Sequence, residues 1–265
     1  MTILDQLAEH ARKRTEQAKE KIPLLAMKTA AFDMPKGTFV FENALKTEGI
    51  SFICECKKAS PSKGVIAPDF PYIQIAKEYE KAGANCISVL TEPKWFLGSD
   101  AYLKEIAASV SIPCLRKDFT VDEYMIYEAK VLGARAVLLI CSILSPKQIK
   151  EYIKICDTLG ISALVEAHDE EEVKSAVDAG ARIIGINNRN LKDFTVDIDN
   201  SCRLRKLVPP EVLFVSESGM KTREDIKRLE ENGTDAVLIG ESLMRSNNKK
   251  AMLDGLAGRS YLYEN

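Results

Sequence analysis

The chain has 265 residues with 37 Lys+Arg against 39 Asp+Glu and 46% hydrophobic residues, the balance of an ordinary soluble globular protein able to bury a full core. A net charge of −2 with both signs interspersed excludes broad attraction to nucleic acid or to an anionic membrane surface, so an anionic ligand has to be held by local groups. No apolar run approaches the ~20 residues that span a bilayer, the start MTILDQLAEHARKR has no apolar signal segment, and seven scattered cysteines without a C-x-x-C pair point to a reducing, cytoplasmic location.

In chain order, residues 1–48 precede the first strand pattern and include a helix predicted from Ile3 to about Lys21, basic in its ARKRTEQAKEK portion. Ile3, Leu4 and Leu7 give it an apolar face, which suits either a surface helix packed on the body or a lid over a site. Eight strand-like runs follow, centred near Cys54, Ser88, Leu115, Leu138, Leu164, Gly185, Phe214 and Leu238. Between them lie amphipathic helical patterns such as PYIQIAKEYEKAG, SPKQIKEYIKICDTLG and TREDIKRLEENG, several opening on a Ser, Asp or Thr cap. Five junctions share one form: in KAGANCISVL, VLGARAVLLI, TLGISALVE, DAGARIIGIN and ENGTDAVLIG, a Gly (Gly83, Gly133, Gly160, Gly180, Gly233) stands where a helix ends left-handed before a β-branched run.

Near-continuous apolar strands alternating with helices mean a parallel sheet covered by helices. Eight units in this length fit an α/β fold of the closed (β/α)8 TIM barrel type, with an N-terminal helical extension. The expected organisation is one domain over 1–265, with 1–48 the extension and 49–265 the barrel. A Rossmann-like open sheet is the alternative, but no G-x-G-x-x-G follows the first strand.

A barrel of this kind carries its active site at the C-terminal ends of the strands. The first run ends in Glu55 and Lys57, the third in Lys117 with Asp118, the fifth in Glu166, the sixth in Asn187, and the seventh in Glu217 with Ser218; Ile239 and Gly240 close the eighth. Glu55 and Lys57 are two apart and so project to the same side of their strand. Two lysines and three glutamates around one mouth can shift one another's proton affinity and supply acid and base. Only two histidines exist, His10 and His168, so the acid-base chemistry is expected to rest on Lys, Glu and Asp, with no metal and no organic cofactor motif. Gly219 and Gly240 follow the last two strands, where short helices can present free N–H groups to a phosphate, although tight turns alone would also use glycine there. Arg189 can reach a phosphate or a carboxylate, or form a loop salt bridge. On these residues alone the ligand is a phosphorylated small molecule.

The segment FICECKKASPSKGVI, with its E-x-K-x-x-S-P-S pattern, resembles the signature of the indole-3-glycerol phosphate synthase family, and the resemblance continues in order through LTEPKWFLGS, LRKDF, ALVEAH, IGINNRNL, VSESG and LIGESLM. It implies a carboxy-lyase of tryptophan biosynthesis that closes 1-(2-carboxyphenylamino)-1-deoxyribulose 5-phosphate to indole-3-glycerol phosphate with loss of CO2 and water. By the same resemblance Lys117 is the acid at the ketone oxygen, Glu166 its partner in dehydration, and Lys57 either holds the substrate carboxylate or acts as a second acid. Glu55 would orient Lys57, Asn187 would hold a sugar hydroxyl or the carbonyl region, and Glu217 with Ser218 would complete the polar wall. Ser60, Gly219 and Gly240 look placed for the phosphate, and Ile239 and Arg189 join the substrate-binding set. Glu241, a Ser in some members, offers only its backbone N–H, with its carboxylate turned away. Phe96, Phe119, Leu138 and Leu191 would floor the aromatic ring, a position ordinary barrel packing would also explain, and Trp95 is read as a loop anchor. A Schiff-base enzyme using Lys117 or Lys57, like the class I aldolases, and a silent phosphate-binding barrel are the alternatives; a monomer is the simplest assembly.

Overall fold

Alternate residues of the apolar runs enter two different cores, and this sorting builds the fold. The computed structural model describes residues 2–190 and 194–259. Its main strands are β1 (Ser51–Cys56), β2 (Cys86–Leu90), β3 (Cys114–Lys117), β4 (Ala136–Ile140), β5 (Ser162–Ala167), β6 (Ile183–Asn187), β7 (Leu213–Glu217) and β8 (Ala236–Ile239). Each pairs in parallel with the next, and β8 returns to β1 through Ser51↔Ala236 to Cys54↔Ile239, closing the barrel. Ile53, Leu115, Leu138, Leu164, Ile183, Val215 and Leu238 fill the interior. Their neighbours Cys54, Val137, Val165, Ile184, Phe214, Val237 and Ile239 face the helices.

The helical layer comprises α4 (Tyr72–Ala82), α5 (Asp100–Ser109), α6 (Glu123–Val131), α7 (Pro146–Leu159), α8 (Glu170–Asp178), α9 (Asp199–Leu204), α10 (Arg223–Glu231), α11 (Glu241–Arg245) and α12 (Lys249–Ala257). The five junction glycines, Gly83, Gly133, Gly160, Gly180 and Gly233, all adopt positive φ, between 69° and 94°. Each stops its helix where a side chain would be strained, so the repeat read from the sequence is the helix-to-strand turn of the barrel.

The extension touches both ends of the barrel. Its first helix, α1 (Ile3–Lys21), opens with a Thr2–Asp5 capping box and lies at the mouth. Ala8 and Ala11 pack there on Val121 and Met125, and Arg14 makes a bidentate pair with Asp118 at 2.7 and 3.2 Å. Further along, α2 (Leu24–Asp33) runs down the outside against α6, where Lys28 meets Glu123 at 3.0 Å. Beyond it Gly37 crosses so close to Gly160 that a Cβ on either would strike the other's backbone within 2.2 Å. Finally α3 (Val40–Ala44) sends Phe41 and, just after it, Leu45 into the interior cluster, corking the floor before β1 begins. Among the described residues no helix is long and apolar enough to cross a membrane.

Candidate active site

At the mouth the inward-facing positions change from apolar to charged. Lys117, ending β3, places Nζ 2.9 Å from Glu166 Oε2 on β5 and 2.9 Å from Glu217 Oε2 on β7. Asn187, ending β6, donates to the other Glu166 oxygen at 3.3 Å. On the far side of the cleft Lys57 Nζ meets Glu55 Oε1 at 2.6 Å, with Ser88 donating to Oε2 at 3.5 Å. Period-two alternation on β1 thus delivers the Glu55 and Lys57 pair, as expected. Glu55, Lys57, Lys117, Glu166, Asn187 and Glu217 line one cavity of about 600 Å³.

Burial and pairing separate the protonation states of this cluster. For Lys117, burial opposes the charge, but Glu166, Glu217 and more distantly Glu55 outweigh it and hold the ammonium well above the ordinary lysine range. Glu166 is likewise buried, yet Lys117, then His168, draw its carboxyl below the usual range. Glu217 is pushed up to about 7, chiefly by burial, with Lys117 opposing and the Glu166 charge adding to the rise. One Glu217 oxygen, Oε1, is buried without a hydrogen-bond partner among the described residues. It fits only because position 185 is glycine: a Cβ there would lie 2.3 Å from it. The cleft therefore holds a fixed cation, an ionised carboxylate and a carboxyl poised near neutrality within one hydrogen-bonded cluster.

The wall beyond β7 and β8 is built for close approach. Ser218 takes a left-handed φ of 69°, its carbonyl accepting from Asn188 at 3.0 Å, and Gly219 follows at φ 100°. Gly240 begins α11, and a Cβ on it would stand 2.5 Å from Glu55 Oε1 and 3.0 Å from Lys57 Nζ. The Glu241 carboxylate accepts from Arg245 Nε at 3.1 Å. The expectation of a helix N-terminus after β7 is corrected: α10 starts only at Arg223, and its Thr222–Asp225 capping box occupies those first donors. The loop from Ser218 to Lys221 lines the cavity there instead. Ser60, on a two-residue strand (Ala59–Ser60) paired with Gly64–Val65, lies on the same lining with Lys63 and Arg245.

Phe96 and Phe119 face one another across the mouth with ring centroids 6.1 Å apart, and Leu138 sits below them at the top of the interior cluster. Leu138 thus serves packing and lining together. Ile239 borders the cavity, but its side chain belongs to the outer core. Arg189 borders it too; among the described residues its guanidinium meets a carbonyl, that of Phe194 at 3.3 Å. Leu191 lies outside the described residues. Trp95 stacks edge-on with His10 at 5.4 Å, its amide donating to Glu92 at 2.7 Å, which fits a loop anchor.

Sequence reasoning missed several supports. Glu92 is fully buried and accepts from the amides of Lys94, Trp95 and Phe96, with His10 Nδ1 3.0 Å away, so a single carboxylate shapes the β2 loop. Ile3, Leu4 and Leu7 line the cavity mouth, so α1 packs on the body and covers the cleft at once. His168, set aside with His10, stands with Nε2 3.5 Å from Glu166 Oε1. The signal was present: Glu166 and His168 are two apart, as Glu55 and Lys57 are.

Fold and cluster together define a (β/α)8 barrel that gathers lysine and glutamate side chains at the C-terminal ends of its strands, beside a glycine-lined wall at the last two. Residues 4–256 match the family described as indole-3-glycerol phosphate synthase, and the chain belongs to that family. Proteins named indole-3-glycerol phosphate synthase resemble it along nearly their full lengths. That of Ruminiclostridium cellulolyticum is 58% identical over 97% of this chain and 99% of its own. That of Lachnoclostridium phytofermentans is 51% identical over 96% and 98%. Solved structures share the fold: KGPDC from Streptococcus mutans aligns with TM-score 0.62 at 13% identity over 80% of this chain and 97% of its own. The tryptophan synthase A-subunit of Pyrococcus furiosus aligns at 0.58 and 15% over 79% and 98%.

Proposed function

We propose that the protein is the carboxy-lyase of tryptophan biosynthesis that closes 1-(2-carboxyphenylamino)-1-deoxyribulose 5-phosphate to indole-3-glycerol phosphate. The observation that carries the reading is Lys117 held between Glu166 and Glu217. The aryl carbon attacks the ketone as negative charge gathers on the carbonyl oxygen, and the Lys117 ammonium neutralises and protonates it. Loss of CO2 restores the aromatic ring. Dehydration then needs a base for the proton and an acid for the leaving hydroxyl; Glu166 is the base, with Lys117 or Lys57 the acid. Lys57, oriented by Glu55, holds the substrate carboxylate until it departs. Asn187 steadies the sugar hydroxyls, while Glu217 and Ser218 form the polar wall.

The phosphate is proposed to lie along Ser60, Gly219, Gly240 and the Glu241 amide, with Arg189 and Lys63 supplying charge. Phe96, Phe119 and Leu138, joined by the edge of Ile239, clasp the anthranilate ring. An imine mechanism is disfavoured because it needs a neutral amine, whereas two carboxylates keep Lys117 protonated. The reading takes the enzyme as a single domain acting as a monomer, in keeping with a barrel that closes on its own eight strands, and as cytoplasmic, in keeping with seven free cysteines.

The test is continuous fluorescence of the indole product from synthetic substrate, with CO2 release measured in parallel. Matched rates of both are expected. Turnover without indole fluorescence, or inactivation by borohydride only with substrate present, would replace this reading with the imine one.

A further inference from the structure

His168 belongs to a cluster that the reaction as described above does not use. Its Nδ1 lies 3.1 Å from Glu172 Oε2 and 3.3 Å from Ser142 Oγ. Glu172 is itself fixed, accepting the His168 backbone N–H at 2.8 Å and the Ser142 hydroxyl at 2.5 Å. The His168 carbonyl accepts from Asn200 on α9 at 3.1 Å, so the backbone is held from that side as well. The opposite ring nitrogen, Nε2, is buried without a hydrogen bond among the described residues, and Glu166 Oε1 stands 3.5 Å from it. A buried donor this close to a carboxylate needs only a small rotation to pair.

The charges facing the ring come from every neighbouring element: Glu166 on β5, Glu217 on β7 and Glu172 on α8, with Lys117 across the cleft on β3. Ser142 meets it from a 3-10 turn (Cys141–Ile143), where Cys141 Sγ donates to the Glu172 carbonyl. Glu166 and Glu217 share Lys117 while Glu172 lies against His168, and an imidazolium there supplies a second cation where burial makes an unpaired charge costly. Glu166 presently relies on Lys117 and Asn187, both of which the proposed reaction redirects to substrate.

We propose that His168 is a positioning residue for Glu166: braced by Glu172 and Ser142, it is the contact that holds the Glu166 carboxylate when Lys117 and Asn187 turn to substrate. The inference rests on the function proposed above.

It is tested by kcat and KM against pH for His168→Leu, His168→Gln and Glu172→Gln. For His168→Leu, kcat falls at least about tenfold with KM within about twofold, and the acidic limb of the kcat profile moves to higher pH, because Glu166 has lost a cation that favoured its ionised form. His168→Gln keeps a neutral donor and regains part of kcat, while the limb stays displaced. Glu172→Gln displaces it in the same direction by weakening the charge on His168. A His168→Leu profile superimposable on wild type overturns the proposal, as does lost kcat with an unmoved limb. If His168→Leu does not fold, the two Gln variants carry the same test. With only two histidines, NMR titration of the imidazoles gives a readout independent of turnover. The His168 midpoint is expected above the ordinary ~6.5 and lower in Glu172→Gln, and a wild-type midpoint at or below that value overturns the proposal. A wild type that fails to form the indole sinks the functional reading by itself, leaving the titration to judge the Glu166–His168–Glu172 linkage.

Discussion

Glu217 is a buried carboxyl, 2% exposed, with one oxygen on Lys117 and the other unpartnered among the described residues. Its proton affinity is raised in the folded state, so folding takes up a proton. The stability this provides is complete below the ordinary carboxylate range and is lost as pH rises through about 7. Glu217→Gln removes that loss. Its advantage over wild type in chemical denaturation is expected to be small near pH 5 and to reach about 1–3 kcal/mol at pH 8; a difference that is flat with pH would contradict the assignment. Lys117→Met tests the acid itself, with kcat expected to drop by about 10²–10⁴ and KM to change only a few-fold, since a proton donor acts mainly in the transition state. Steady-state kinetics in which KM rises while kcat holds would make Lys117 a binding group instead.

At the scale of elements, α1 is tied to the barrel at the residue that follows Lys117. Arg14 reaches Asp118 across 104 positions of sequence, and Asp118 also accepts from Thr91 at 2.5 Å and from the Phe119 amide at 2.8 Å. Although burial opposes it, the Arg14 and Arg116 charges hold the Asp118 carboxyl below its usual range. Arg14→Ala should cost about 2–3 kcal/mol near neutrality, less than a fully stripped buried carboxylate because two donors remain. The folded-state proton affinity of Asp118 is depressed, so this contribution exists above the ordinary carboxylate range and fades as pH falls through the lower folded value. Urea titrations of both proteins at neutral and acid pH measure it. The strand ends were legible beforehand because a period of two assigns each residue to a face, which is how Glu55, Lys57, Lys117, Glu166 and Glu217 were found. The same rule places His168 on the face of Glu166, although two histidines in the chain give no compositional sign of it. Contacts such as Arg14–Asp118 and the Glu92 loop knot had no local signal, since their partners meet only after the barrel closes. The gap between β7 and α10 is longer than the glycine implies, because the Thr222 cap, rather than Gly219, marks where that helix begins.

The whole molecule separates stability from chemistry along the barrel axis. Phe41 and Leu45 seal one end beneath Ile53, Leu115 and Leu213, while the charged cluster occupies the other. Phe41→Ala, at a fully buried site, should cost about 3–5 kcal/mol in denaturant unfolding yet leave KM unchanged, because a cavity at the floor does not reach the mouth. A large change in KM would mean that the two ends are mechanically coupled.

The course of the leading residues bears on how the protein would come apart under load. The chain passes over the mouth as α1, descends outside α6 as α2, threads beneath Gly160 and enters the floor at Phe41 before it joins the sheet. Traction on the amino terminus therefore peels these contacts one after another instead of shearing them together. The roof above the cleft detaches first and the cork last, so a molecule stretched from that end loses its reaction chamber while its cylinder of strands is still intact.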